Sequence, residues 1–143
     1  MSKLIDRIQD IYYPIIGRIE RKYDNLRARC QRFKRGYSYG DVYDMDYWFI
    51  RTARPMLVHL RDNGRSYPGI FKDGDEWRQV LSEMINCLDF MDEDNVYNHL
   101  GFIEFEDIMC MTVDDFKHVD EIMDQNKDRF FELFSKYFYN LWD

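Results

Sequence analysis

From Ile8 to Phe33, apolar residues recur at steps of three or four: Ile8, Tyr12, Ile15, Ile19, Tyr23, Leu26, Cys30 and Phe33. At ~100° per residue such steps keep side chains on one side of an α-helix. A helix of this kind is expected to bury its apolar face. Ser2 is placed to cap its start. Gly36 is placed to end it, after Lys34 and Arg35, because cations suit a helix C-terminus. Pro14 lacks a backbone donor and crowds the preceding turn, so a kink or break is expected there.

Only 7 Gly and 3 Pro interrupt the 143 residues, so the same period can run on in long stretches. A second helix is expected to open at Ser38 and Asp41, spaced like a capping box, with Asp44 adding charge that the helix dipole favours. Its buried face reads Val42, Met45, Phe49, Ala53, Met56, Leu57 and Leu60, with a kink expected near Pro55 and a stop at Asn63-Gly64. Pro68-Gly69 suits a type II turn. Asp73 and Glu76 cap a third helix that buries Trp77, Leu81, Met84, Ile85, Leu88 and Met91.

Residues 92–111 read as short helical turns, or as a brief strand from Gly101 to Phe105. Thr112 with Asp115 opens a last helix to the C-terminus, burying Phe116, Val119, Met123, Phe130, Phe134, Tyr137 and Leu141. The fold class is therefore all-α: a helical bundle of four main helices, the longest at the two ends. One domain, residues 1–143, is expected at this length.

The charge is divided along the chain. Residues 1–72 hold 15 Lys+Arg and 8 Asp+Glu, whereas residues 73–143 hold 5 and 19. A basic half and an acidic half are expected either to neutralise each other or to steer association with charged partners. No run approaches the roughly 18 apolar residues of a membrane span. Lys3, Asp6, Arg7 and Asp10 interrupt any signal-peptide core, so no membrane partner is expected. Cys30, Cys87 and Cys110 are odd in number and widely spaced, which suits free thiols in a reducing cytosol.

Chemistry-bearing patterns are missing from the chain. His59, His99 and His118 lie in no HExxH or zinc spacing, and Asp115 to His118 makes a single DxxH where a di-iron bundle needs two Glu-xx-His pairs. There is no dinucleotide fingerprint, phosphate loop or nucleophile elbow. The expectation is a non-enzymatic protein with no metal and no cofactor.

Two kinds of binding surface remain. Arg18, Arg21, Lys22, Arg29 and Arg32 share one broad sector of the first helix, with Arg27, Lys34 and Arg35 on the other flank. They run into Tyr37, Tyr39, Tyr43 and Tyr47, and exposed tyrosines beside arginines are good interface anchors. Tyr67 and Phe71 extend the candidates into the loop. The acidic alternative uses Asp92, Glu93, Asp94, Glu104, Glu106, Asp107, Asp114 and Asp115, either as helix caps on a wet face or as an imitation of a nucleic-acid backbone.

The stretch from Arg32 onward carries RGYS at Arg35–Ser38, an Asp-Val pair at Asp41-Val42, Asp46-Tyr47, the mid-helix Pro55, the loop GRSYPG and a Trp77-initiated helix reaching Met84-Ile85. This pattern resembles small proteins of unassigned function encoded in bacteriophages and prophages of gut and Gram-positive bacteria. It covers under half of the chain and leaves out the acidic C-terminal part. The resemblance implies a phage gene product acting in the bacterial host cytoplasm or assembled into a particle, and carries over no site residue. The expected function is docking onto a host or phage macromolecule, such as a host nuclease or other defence component. The alternatives are an oligomeric virion or packaging component and a direct nucleic-acid binder through the basic helix.

Overall fold

The computed structural model describes the backbone of residues 2–142 and the side chains of residues 16–142. The chain is an all-α helical bundle: helices make up 79% of it, and no strand occurs among the described residues. The elements are α1 (Ser2–Arg35), α2 (Gly40–Tyr43), α3 (Met45–Asn63), α4 (Gly74–Asp89), α5 (Glu93–Leu100), α6 (Phe105–Met109) and α7 (Val113–Tyr137), followed by a 3-10 turn at Phe138–Asn140. They fall into two compact units, residues 1–45 and 46–143. The division of charge at residues 72–73 lies inside the second unit.

In the first unit α1 runs without a break across Pro14. Gly36 ends it in the left-handed region, φ 83°, and its N–H closes the last turn on Arg32 O at 2.8 Å. The apolar face does not behave as its period suggests. Ile19 is 58% exposed, Tyr23 67%, Leu26 62% and Phe33 93%, and Cys30 is exposed as well. Period reports that a helix has an apolar side, and a partner is needed to cover that side. The unit's second helix, α2, has four residues and covers none of these side chains. Ser2, Ile8, Tyr12 and Ile15, also part of the expected cap and face, have side chains outside the described residues.

The second unit has a conventional core. α4 packs along α7, and α5 packs on the same helix. Leu81, Met84, Leu88 and Phe130 are fully enclosed, joined by Trp77, Ile85, Leu133 and Tyr137. Phe49 of α3 meets Phe130 edge-on at 5.8 Å and Phe134 at 6.3 Å. A smaller cluster around Val96, Tyr97 and Val119 holds α5 to α7. Arg129 ties α7 to α4 through Glu83 at 2.7 Å, and Arg54 ties α3 to Asp89.

Several helix limits follow local chemistry. Asp73 caps α4 by accepting from the Asp75 and Glu76 N–H groups, both at 3.0 Å. Glu76 reaches back to the Lys72 N–H at 2.9 Å, one residue earlier than a capping box requires. Thr112 and Asp115 form the expected box at α7. α3 continues through Pro55, which lies on its exposed side, and stops at Asn63. A Cβ at Gly64 would lie 2.3 Å from Leu60 O, so only glycine fits this exit.

Five local expectations change. The second helix is broken at Asp44, φ −118° and ψ 58°, which leaves Val42 and Met45 exposed. Gly40 is a weak helix former through its backbone entropy, and the carboxylates of Asp41 and Asp44 compete for the backbone. The buried side of α3 is turned so that Ile50 and Leu57 point inward and Met56 outward. The turn after Tyr67 closes from Phe71 N–H to Pro68 O at 3.0 Å, which puts Gly69 and Ile70 at its centre, and neither has positive φ, so it is not type II. Residues 101–105 form no strand; Gly101, φ 89°, ends α5. In α7, Phe116 is exposed and the helix ends at Tyr137.

Phe130→Ala should cost about 3–5 kcal/mol in urea unfolding, whereas Phe33→Ala should stay within about 0.5 kcal/mol, since only the first leaves a cavity. Tyr97 donates its hydroxyl to Glu93, and this bond with partial burial pushes its pKa up to about 12. The fold thus favours the neutral phenol. Its contribution to stability is complete below pH ~10 and is lost as pH rises through the folded value. Ultraviolet titration should show a phenol ionising at about pH 12 that Tyr97→Phe removes.

Candidate functional site

The chain leaves α1 at Gly36 and folds back onto that helix through polar contacts. Arg32 grips Asp41 with two prongs, Nε to Oδ2 at 2.9 Å and Nη2 to Oδ1 at 2.5 Å. Asp41 Oδ2 also accepts the Ser38 N–H at 2.7 Å. The Arg32 guanidinium first, and the Ser38 amide second, hold the Asp41 carboxyl well below the usual carboxylate range. Gln31 Oε1 accepts the Tyr39 N–H at 2.9 Å. Ser38 is buried and serves Asp41 through its hydroxyl as well as its backbone amide; it does not cap the helix. The helix here starts after Tyr39, one residue later than the Ser38 cap expects.

This corner presents Tyr37, Tyr39 and Tyr43 to solvent, Tyr43 at 89%. The Arg35 guanidinium lies 4.7 Å from the Tyr39 ring centre and lowers the pKa of its hydroxyl. Tyr47 belongs to the second unit, where it is exposed with Arg51 over its ring at 5.3 Å. Trp48 and Phe49 are half-buried. The aromatic stretch therefore divides between exposed tyrosines and packing residues.

The basic candidates on α1, Arg18, Arg21, Lys22, Arg29, Arg32 and Arg35, are all exposed. Arg21 bonds the Gly17 carbonyl at 3.0 Å, and Arg32 is held by Asp41. No ion pair among the described residues involves Arg18, Lys22, Arg27, Arg29 or Lys34. The residues that sequence reasoning missed as a surface are those between these cations: Ile19, Tyr23, Leu26, Cys30 and Phe33. Their spacing was visible, and it reads as core until the absence of cover is known. Gln31 and Arg32, which hold the tyrosine corner, lie well round the helix from this row at ~100° per residue. The apolar row and the tyrosine corner are thus separate surfaces of the first unit.

In the loop, Tyr67 is exposed and lines a cavity of about 320 Å³ with Arg61, Arg65, Arg78, Gly64 and Gly74. Asp62 pairs with Arg61 at 2.7 Å and Asp75 with Arg78 at 2.6 Å, which offsets much of that positive charge. Phe71 is half-buried against Trp77 and Tyr137, at 5.3 and 5.4 Å between ring centres. It serves packing.

The acidic candidates sit mainly at helix starts. Asp92 caps α5, and Glu93 and Asp94 occupy its first turn. Asp107 accepts the Glu104 N–H at 3.0 Å, with Glu106 beside it in the first turn of α6. Asp115 closes the box with Thr112, and Asp114 pairs with Lys117 at 3.2 Å. These positions are the ones favoured by the helix dipole. Among the described residues no three His, Cys, Asp or Glu side chains converge as metal ligands. Comparison of the chain with family models, curated proteins and solved structures finds no match.

Asp41→Asn should speed exchange of the Ser38 amide at least about tenfold, because it replaces a charge-assisted acceptor with a neutral one. In the native chain the depressed Asp41 pKa means that protection is complete above the ordinary carboxylate range. It fails only as pH falls through the lower folded value. Amide exchange followed by NMR reads both.

Proposed function

We propose that this chain is a phage-encoded, non-enzymatic docking protein that binds a host or phage macromolecule, acting as an inhibitor of a host nuclease or other defence component in the bacterial cytoplasm. One observation carries the docking reading: the exposed row from Ile19 to Phe33, bordered by cations that have no ion pair among the described residues. Apolar side chains left in water favour association, and the adjacent charge steers it. The phage context rests on the resemblance that begins at Arg32. The exposed tyrosines of the corner supply a second, amphipathic contact area.

A second reading, a virion or packaging component, is favoured by the exposed aromatic tail. Phe138, Tyr139 and Trp142 all face solvent after α7, and such a cluster suits contacts between assembled subunits. Light scattering separates the readings, since an assembly component oligomerises or copurifies with particles.

Affinity capture from phage-infected bacterial lysate should return a defined protein in amounts comparable to the bait. Capture should fall at least about tenfold when Arg18, Lys22 and Arg29 are changed to Glu, because rim charges set encounter and exclude wrong partners. Repeated recovery of nothing defined counts against docking. Binding to DNA or RNA that weakens linearly with log salt would replace the protein partner with nucleic acid.

A further inference from the structure

The row on α1 has the arithmetic of a coiled-coil seam. Tyr23, Leu26, Cys30 and Phe33 follow steps of three, four and three, which are positions a, d, a and d of two heptads. Ile19 extends the row by one turn. At ~100° per residue all five fall within an arc of about 80°, a narrow seam sized for one helix. At ~1.5 Å per residue it is about 21 Å long.

The flanks of the seam identify what fits it. The g positions are Lys22 and Arg29, and the e positions are Arg27 and Lys34. Arg18, a c position beside Ile19, lies further round on the g side. Along the two heptads from Lys22 to Lys34 each e and g position is a cation, and all four are exposed. Asp24 lies away from the seam, and Glu20, the e position of the turn that carries Ile19, is the acid on its border.

This pattern decides among occupants. In a parallel pair with a second α1, g meets e of the other chain; in an antiparallel pair, g meets g and e meets e. Over Lys22 to Lys34 both set cation against cation, which disfavours a second copy. A lipid surface calls for a broad apolar face, whereas here Lys22 and Lys34 close in on both sides of the seam. A nucleic acid would use the cations and leave Leu26 and Phe33 in water. The chain's own contacts also spare the seam: α2 and its corner are held by Gln31 and Arg32, which occupy the b and c positions behind it.

We infer that this face of α1 receives an amphipathic helix of a protein partner, with apolar residues at a and d and Glu or Asp at e and g, forming a heterotypic coiled coil. The inference rests on the docking reading and specifies its partner.

Cys30 lies in the seam and is exposed, Cys110 is exposed elsewhere, and Cys87 is buried. Alkylation of the full chain therefore carries its own control. The probe is a synthetic peptide of about four heptads with Ile at a, Leu at d and Glu at e and g, beside a twin with Lys at e and g. The Glu peptide, at about ten times its Kd, should slow alkylation of Cys30 about tenfold and leave Cys110 unchanged. Protection should decline as salt rises. Leu26→Asp should abolish it while urea unfolding of the second unit is unaltered.

Equal protection by the Lys twin overturns the inference. So does protection by phosphatidylglycerol vesicles or a DNA oligonucleotide where the Glu peptide gives none. A wild-type dimer in which Cys30 is already protected assigns the seam to a second copy. If the Glu peptide fails but the chain still retains a defined partner that survives Leu26→Asp, this inference falls and the docking reading stands. If no partner is retained either, both fall.

Discussion

The contact of α4 with α7 is what the second unit is built on. Leu81, Met84 and Leu88 on one side, and Phe130 and Leu133 on the other, exclude water almost completely. Each buried side chain of this size contributes roughly 1.5–3 kcal/mol relative to exposure. Everything else in the unit is placed by reference to that seam. Phe49 brings α3 onto Phe130, Phe71 brings the loop onto Trp77 and Tyr137, and Val96 brings α5 onto Val119. The ion pair from Arg129 to Glu83 lies on the surface of the same contact and adds orientation more than energy.

The first unit obeys a different logic. α1 has long stretches of good helix formers and a well-made C-terminus, yet its described side chains form no core. Its organisation comes from backbone hydrogen bonds and from the polar corner around Arg32 and Asp41. Most helices in folded proteins gain their stability from an apolar face covered by neighbours. Here the apolar face is present without the neighbour, which is why the same residues that look like core in the sequence become the candidate surface.

What could be read from the sequence follows the range of the interactions involved. Helix starts at Asp73 and Thr112 rest on bonds within three residues, and both appear where the spacing puts them. The inward face of α4, from Trp77 to Leu88, was legible because one periodic face meets one continuous partner. Ile50, Cys87 and Leu133 are buried beside the expected faces, since neighbouring helices cover more than a single stripe. Met56 and the row on α1 went the other way, because period cannot report which faces find cover. The Asp44 break depended on a contest between a weak helix and a polar corner that only the Arg32–Asp41 grip makes visible. For the site, the arginines and tyrosines were legible as exposed polar anchors. The seam between the arginines was legible only as hydrophobic.

The repeated helix starts of the second unit have a colloidal consequence. Each start needs an acceptor for its free N–H groups, and here that acceptor is usually an acid: Asp73, Asp92, or the Asp107 and Asp115 partners of the boxes at Glu104 and Thr112. A chain that changes direction often therefore accumulates carboxylates as a by-product of its topology. The carboxylates that open these helices supply part of the negative potential of residues 73–143. That potential acts at a distance, keeping the acidic portions of neighbouring copies apart in dilute salt. Repulsion of that kind leaves an exposed apolar helix less prone to sticking the wrong copies together.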